Sequence, residues 1–410
     1  MAIGNQQSAA KMKPDCFIME SIMDFLEKAK AIEGQIIAWR REIHANPELG
    51  FEETKTANLV VEALREMGVE AQAGVGRTGV VARIGNGEGR KIGIRADMDA
   101  LPIQETVDVD FKSTVSGKMH ACGHDAHTAM LLGVAKLLNS MNIDGEIRLL
   151  FQPSEERWDD DGISGATAMI SDKALEELDA VIALHVDSLA PVGEIKVTDG
   201  FALAAVDTFH ATIIGEGCHG ASPHTGLDPI WMSAQVVNAI QAIRSRRTDP
   251  TSASVVTIGA IHGGSATNII PDTVDMMGTI RSYDEEIRNQ LHEELEKAFA
   301  ITKIFGGDYK LKIQRGYPAL YNDVEVAALL REVSTGYVGE DNAKVGTAKM
   351  GAEDFAYMTQ KAPGAMLFLG AKYDEQHRPH HSPIFAISEE SFKYGTAIMA
   401  ETAMRLLKQN

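Results

Sequence analysis

A chain of 410 residues with 44% hydrophobic content is too long for one ordinary core and long enough for two, so a two-domain globular protein is expected. Its formal net charge of -19 argues against nucleic acid and anionic membrane as partners, because the densest basic group, Arg244, Arg246 and Arg247, reads only as the polar end of a helix. Three widely spaced cysteines, Cys16, Cys122 and Cys218, fit a reducing, cytoplasmic compartment better than a disulfide framework.

Residues 1–20 carry Lys11 and Lys13 without a sustained apolar run, so they read as an N-terminal extension, neither a secretory signal nor an anchor. No later stretch has the roughly 20 consecutive apolar residues of a spanning helix. From Ile22 to Ile43 the pattern is helical, until the Pro and Gly of residues 44–50 break it; a second helix from Glu53 to Met67 stops at Gly68. Strand-like runs over 79–84 and 91–95 flank a glycine-rich turn. The second run delivers Asp97 and Asp99, two acids that share one side of an extended segment, a costly placement without a cation or donors nearby.

Residues 119–128 then concentrate a thiol, three imidazoles and a carboxylate ahead of an apolar helix, His124 to Leu138. Cys122 and His124, two apart around a glycine, can reach a common ion. His127, one turn on, either supports that site or is exposed. A strand over 146–152 leads directly to Glu155 and Glu156, a strand over 180–184 delivers His185, and a strand over 365–369 leads through a polar loop to His380 and His381. Asp99, Glu155, Glu156, His185 and His381 thus each lie just past the carboxyl end of an apolar strand, the edge at which open α/β sheets bind ligands. One such residue alone is usually structural, whereas five at one edge point to a metal site. Cys122, His124, Glu156, His185 and His381 suit two divalent ions with one shared ligand better than one tetrahedral ion. Glu155, diverging from its neighbour, is then placed to act as general base on a metal-activated water.

The middle of the chain has a different rhythm. A strand over 206–214, a helix over 230–246, strands over 253–261 and 273–280, a helix over 284–304 and a strand over 309–314 give the order β-α-β-β-α-β of a ferredoxin-like domain. The expected organisation is therefore a mixed, mostly parallel α/β domain in two parts, 21–199 and 316–410, interrupted by an inserted lid over 200–315. In the loop before the first lid helix, His219 or His224 is a candidate oxyanion stabiliser, and Asn268 and Arg281 could hold a carbonyl and a carboxylate.

Taken together, RREIHANPELGFEE, GIRADMDALPI, MHACGHDAHTAMLLGVA, FQPSEE, LHV, PHTGLDPI, ATNIIPD, MGAEDFA and HHSP, in that order from about Ile36 onward, resemble the metallopeptidase family of aminoacylase and carboxypeptidase G. The match is nearest to its amidohydrolase branch of hippurate, N-acyl-amino-acid and indole-acetyl-amino-acid hydrolases. The resemblance implies a binuclear site in which Cys122 bridges, His124 and His185 hold one ion, Glu156 and His381 the other, Glu155 is the base and Asp99 supports a ligand. It favours His381 over His380, and it makes His219 a residue that reaches from one subunit's lid into the site of another, so that a homodimer, or a homotetramer, forms through the lid domain. The expected substrate is a small N-acyl amino acid, with a short peptide cleaved by a carboxypeptidase or dipeptidase as the alternative and a non-catalytic metal-binding module as a third reading. The ligand types suit zinc or manganese, and also cobalt or nickel.

The chain departs from the family pattern at two places. Where many members continue with glycines after the glutamate pair, it reads Arg157-Trp-Asp-Asp-Asp-Gly162, an acidic segment that could favour a cationic substrate group. Cys218 stands where glycine more usually precedes the lid histidine.

Overall fold

A computed structural model describes residues 25–409. The expected N-terminal extension, with Lys11, Lys13 and Cys16, and the start of the helix expected from Ile22 lie outside the described residues. The chain is helical over 25–31, turns at Ile32 and continues as α1 (Glu33–Ala45), which closes just before Pro47. After it come α2 (Thr54–Glu66), β1 (Ala71–Val75), β2 (Gly79–Ile84), β3 (Lys91–Asp97), α3 (His124–Leu138), β4 (Glu146–Gln152), α4 (Gly165–Ser171), β5 (Ala180–Asp187), β6 (Ile195–Val197) and β7 (Gly200–Leu203). The inserted unit holds β8 (Ala205–Ile214), β9 (Cys218–His219), α5 (Pro229–Ala242), β10 (Ser254–Gly263), β11 (Ile269–Ile270), β12 (Thr273–Ser282), α6 (Glu285–Ile304) and β13 (Asp308–Arg315). The chain then adds β14 (Leu320–Asn322), α7 (Val324–Val338), β15 (Ala343–Val345), α8 (Phe355–Thr359), β16 (Gly364–Gly370) and α9 (Phe392–Leu406).

The large sheet has the order β1-β2-β4-β3-β5-β16-β6-β15, with its centre, β4-β3-β5-β16, parallel. Those central strands are buried almost throughout because helices cover both faces. Ile182 faces the cluster formed with Ile36 of α1, Leu131 of α3, Leu330 of α7 and Ile398 of α9, while its neighbour Val181 faces Met169 of α4 and Phe355 of α8. Two strands run further than hydropathy indicates. Parallel pairing continues to Asp97 opposite Gln152 and to Asp187 opposite Gly370, so His185 lies within β5 rather than past its end. Polar side chains on a paired strand end the apolar run without ending the ladder. The edge strand β1, with an exposed middle and no alternating pattern, has no counterpart in the sequence reading, and β6, β7, β14 and β15 are too short to carry a period.

The inserted sheet is antiparallel with the order β10-β12-β8-β13, the ferredoxin-like arrangement, and α5 and α6 pack on it through Phe209, Val236, Leu291, Leu295 and Phe299. Both helices begin where Asp caps them: Asp228 accepts from Ile230 and Trp231 ahead of Pro229, and Asp284 accepts from Glu286 and Ile287. The last turn of the expected 230–246 helix is π-helical, Ile243–Arg247. The two strands joining the units lie side by side. Val206 N–H donates to Tyr317 O and Gly316 N–H to Val206 O, each at 3.0 Å, and buried Asp207 gathers Arg288, His292 and Gly316 N–H beside them.

α1 is fastened to α3 by charge. Buried Arg40 donates to Asp125 at 2.8 Å, and Asp125 also meets His44 Nδ1 at 2.7 Å while His44 Nε2 faces Glu105 at 3.1 Å. Asp125 sits in the first turn of α3, where the helix dipole adds to its stabilisation. Replacing Arg40 with Met leaves that buried carboxylate short of its guanidinium and should cost about 3–5 kcal/mol of unfolding free energy by chemical denaturation; a loss below about 1 kcal/mol would contradict this account.

Candidate metal centre

The site is built at the carboxyl edge of the parallel strands. Gly123 has φ +95°, and a Cβ there would stand 2.4 Å from Val186 Cγ2, so only glycine allows this turn into α3. The turn leaves Cys122 outside the helix and makes His124 its first residue. Asp99, just beyond β3, accepts from His124 Nδ1 at 3.1 Å and, with its other oxygen, from Glu156 N–H at 3.0 Å. One carboxylate thus orients an imidazole and fixes the main chain of a glutamate.

Two more residues reach the site from unusual backbone. Ser154, immediately before Glu155, has φ +43°, and His381 has φ +59° with its N–H bound to Ala121 O at 2.9 Å. His185 donates Nδ1–H to Val186 O at 2.7 Å, which makes Nε2 an acceptor, 3.4 Å from Cys122 Sγ. His381 Nε2 lies 3.1 Å from Glu156 Oε1.

The ligating atoms of Cys122, His124 and His185 lie within 4.8 Å of one another, as do those of Cys122, Glu156 and His381, and those of His124, Glu155 and Glu156. Cys122 belongs to both of the first two groups. Buried His124 Nε2 has no hydrogen-bond partner, although buried polar atoms are seldom left unpaired, and Glu156 Oε1 meets only the exposed His381 ring. Asp97 Oδ2, at 3.7 Å from His124 Nε2, is too far to serve. Thiol, imidazole and carboxylate groups converging around an orphaned imidazole nitrogen fit divalent cations.

The electrostatics agree with a place for positive charge. Burial and the nearby Glu156 and Glu155 push the Cys122 thiol well up, and burial with Glu353 and Glu156 does the same to Glu155. Burial opposes charge on His124, but Asp97, Asp99 and Glu156 outweigh it and raise its pKa to about 10.

Several residues of the site were not assigned from the sequence. Asp97 accepts from His127 Nδ1 at 2.6 Å and Arg95 at 2.7 Å, and His127 Nε2 accepts Val186 N–H, so His127 is a buried strut between strands. Glu353 and Asp354, at 2.8 and 3.1 Å from Arg95, stand behind Glu155. The signal was present as an arginine inside an apolar strand and an acid pair flanked by apolar residues. His380 Nε2 accepts Ser188 N–H at 3.3 Å, and its Nδ1 lies 3.7 Å from Cys122 Sγ.

The four candidate residues of the inserted unit lie elsewhere in the single chain. β9 pairs with β11, which sets His219 opposite Ile269 and beside Asn268, whose carbonyl accepts Gly220 N–H at 2.8 Å. His224 is exposed in a short 3-10 turn. Arg281 is turned to Thr279 and the Ile280 carbonyl. Among the described residues no hydrogen bond or ion pair joins these four to the ligand cluster. Of the acidic segment, Asp159 is engaged by Arg77 and by the N–H groups of Asp161 and Ile163, which closes a local turn.

The sequence profile of peptidase family M20/M25/M40 matches residues 93–405. Thermostable carboxypeptidase 2 of Saccharolobus solfataricus is 42% identical over 93% of this chain and 99% of its own length. The N-acetyl-L-cysteine deacetylase of Bacillus subtilis is 40% identical over 92% and 90%. Among solved structures, the Bacillus subtilis YXEP protein, described as a dinuclear metal binding peptidase from the M20 family, superposes with a TM-score of 0.79 at 32% identity, covering 93% of this chain and all of that one.

The raised pKa values set a sign for ligand binding. His124 and Cys122 both hold protons at pH 7 in the metal-free chain and must release them to coordinate, so affinity for a divalent ion should rise with pH between 7 and 10. The expected slope is up to about tenfold per pH unit for each proton released. Zinc titration calorimetry at several pH values, in buffers of different ionisation heat, measures it; pH-independent affinity without proton release would refute it.

Proposed function

Because the chain belongs to peptidase family M20/M25/M40, and is thereby a metal-dependent hydrolase of amide bonds, we propose that it cleaves the amide of N-acyl amino acids, releasing an acid and a free amino acid. The observation that carries this reading is buried Glu155 set against the convergent Cys122, His124, Glu156, His185 and His381, with the buried His124 Nε2 left unpaired.

In this reading Cys122, His124 and His185 would hold one divalent ion and Cys122, Glu156 and His381 a second, zinc or manganese before cobalt or nickel. When bound, such ions polarise a carbonyl and make water acidic enough to attack near neutral pH. Glu155 takes the proton of the attacking water and hands it to the departing amine; its carboxyl group, buried and crowded by other acids, is suited to holding that proton between the two transfers. Asp99 keeps His124 and the Glu156 main chain aligned. His219 accepts Ala221 N–H at Nδ1 (3.0 Å), so its proton stays on Nε2, the tautomer able to donate to a developing oxyanion.

His219 and Asn268 sit together on an exposed ribbon of the lid, which supports their acting on the site of a second copy in a homodimer joined through residues 200–315. Arg281 is the candidate for the substrate carboxylate, and His224 is a further candidate for contact with the substrate. The two free thiols among the described residues, Cys122 and Cys218, accord with a cytoplasmic location, and no described helix is long and apolar enough to cross a membrane.

A second reading, cleavage of short peptides from the carboxyl end, is favoured by the likeness to a carboxypeptidase. Both reactions act on an amide whose amine side is an amino acid with a free carboxylate; they differ in whether the acyl side bears an amine. Release of amino acid from N-acetyl, N-benzoyl and indole-acetyl amino acids, compared with dipeptides, separates them. Glu155→Gln should lower kcat by about 10²- to 10⁴-fold while metal content is kept; full activity in that variant would remove the base from the mechanism.

A further inference from the structure

The turn that carries Glu155 is held at four main-chain groups. Ser154 N–H donates to Glu53 Oε1 at 2.8 Å, Ser154 O accepts Gly165 N–H at 2.9 Å, and Glu156 N–H donates to Asp99 at 3.0 Å. These three anchors come from the first part of the catalytic unit. The fourth comes from the far side of the lid: the Tyr317 hydroxyl donates to Glu155 O at 2.6 Å.

Tyr317 is buried and directly follows Gly316, the residue clasped by Val206 and Asp207 where the lid returns to the large sheet. Its ring meets Trp158 edge to face, with centroids 5.2 Å apart. Tyr357 stands on another side and donates its hydroxyl to Gly316 O at 3.3 Å. A Cβ on Gly316 would come within 2.6 Å of Val206 O and 3.1 Å of Trp158 Cη2, so the indole lies closely over the joint. Trp158 belongs to the segment in which this chain replaces the expected glycines, and Asp159 beside it is tied to Arg77.

We propose that Tyr317 is a positioning residue for Glu155, holding the base's main chain from the strand that joins the lid to the catalytic unit, and that Trp158 fixes the tyrosine ring in place. The distinctive residues 157–162 then serve the joint rather than the substrate. The inference rests on Glu155 being the base. Without the hydroxyl, a buried carbonyl loses its partner and the carboxylate gains freedom where small displacements cost rate.

The test compares the zinc- or manganese-loaded full chain with Tyr317→Phe, Trp158→Leu and the double variant, on whichever N-acetyl amino acid or dipeptide the wild type cleaves. Tyr317→Phe should lower kcat about 10- to 100-fold with KM changed less than about twofold and metal content intact. The double variant should be no worse than Tyr317→Phe alone. Hydrogen exchange over residues 153–158 should quicken about tenfold in Tyr317→Phe, whether or not a substrate is known. Unchanged exchange, unchanged kcat, or metal loss in step with activity would each overturn the assignment to Tyr317, and additive effects would overturn the part given to Trp158. A wild type silent on every amide would strike the proposed function instead, with the exchange measurement still deciding whether Tyr317 anchors the turn.

Discussion

Arg95 lies fully buried on the central strand β3, and the site depends on what surrounds it. Its guanidinium binds Asp97, Glu353 and Asp354, while its Nε donates to Gln152 at 2.9 Å. Burial works against that charge, and the three carboxylates outweigh it. Each acid then reaches outward: Asp97 to His127 and so to the main chain of β5, Asp354 to Gln152 and the first turn of α4, Glu353 to the neighbourhood of Glu155. One internal cation therefore organises the acids behind the site, and the unpaired nitrogen of His124 in front of it faces the place for cations from outside.

The residues that gather at the candidate site were legible because strand ends and a helix start concentrate chemistry. Glu155, Glu156, His185 and His381 stand out by their positions after apolar strands, Cys122 and His124 by the crowding of thiol and imidazoles ahead of an apolar helix, and the structure gathers them at one sheet edge. The frame behind them was not. Arg95, Asp97, Glu353 and Asp354 are charged residues in apolar settings, and a sequence displays such residues without displaying which of them meet across about 250 positions. The sequence does not place His127 for the same reason: its partner Asp97 and the Val186 amide lie on different strands.

Fold class was readable where periods were long. The inserted β-α-β-β-α-β unit appeared in order, since its strands alternate and Asp caps open its helices. Strand ends were less so: β3 and β5 continue past their apolar stretches because parallel neighbours still offer hydrogen-bonding groups. The acidic segment after Glu156 is conspicuous in the sequence by its charge, whereas the structure also sets its indole against Tyr317.

The pairing of β5 with β16 also bears on how the chain is made. β5 ends at Asp187 and its partner begins only at Gly364, after the whole inserted unit, and His380 approaches Cys122 across 258 positions. On a ribosome working from the amino end, the lid can complete its own local core while β5 waits with one edge unpaired. The two groups that share Cys122 therefore mature at different times: His185 is available early, and His381 joins only when the last strand has docked. Synthesis itself thus orders the assembly of the centre, with the second half of the site among the last features of the molecule to form.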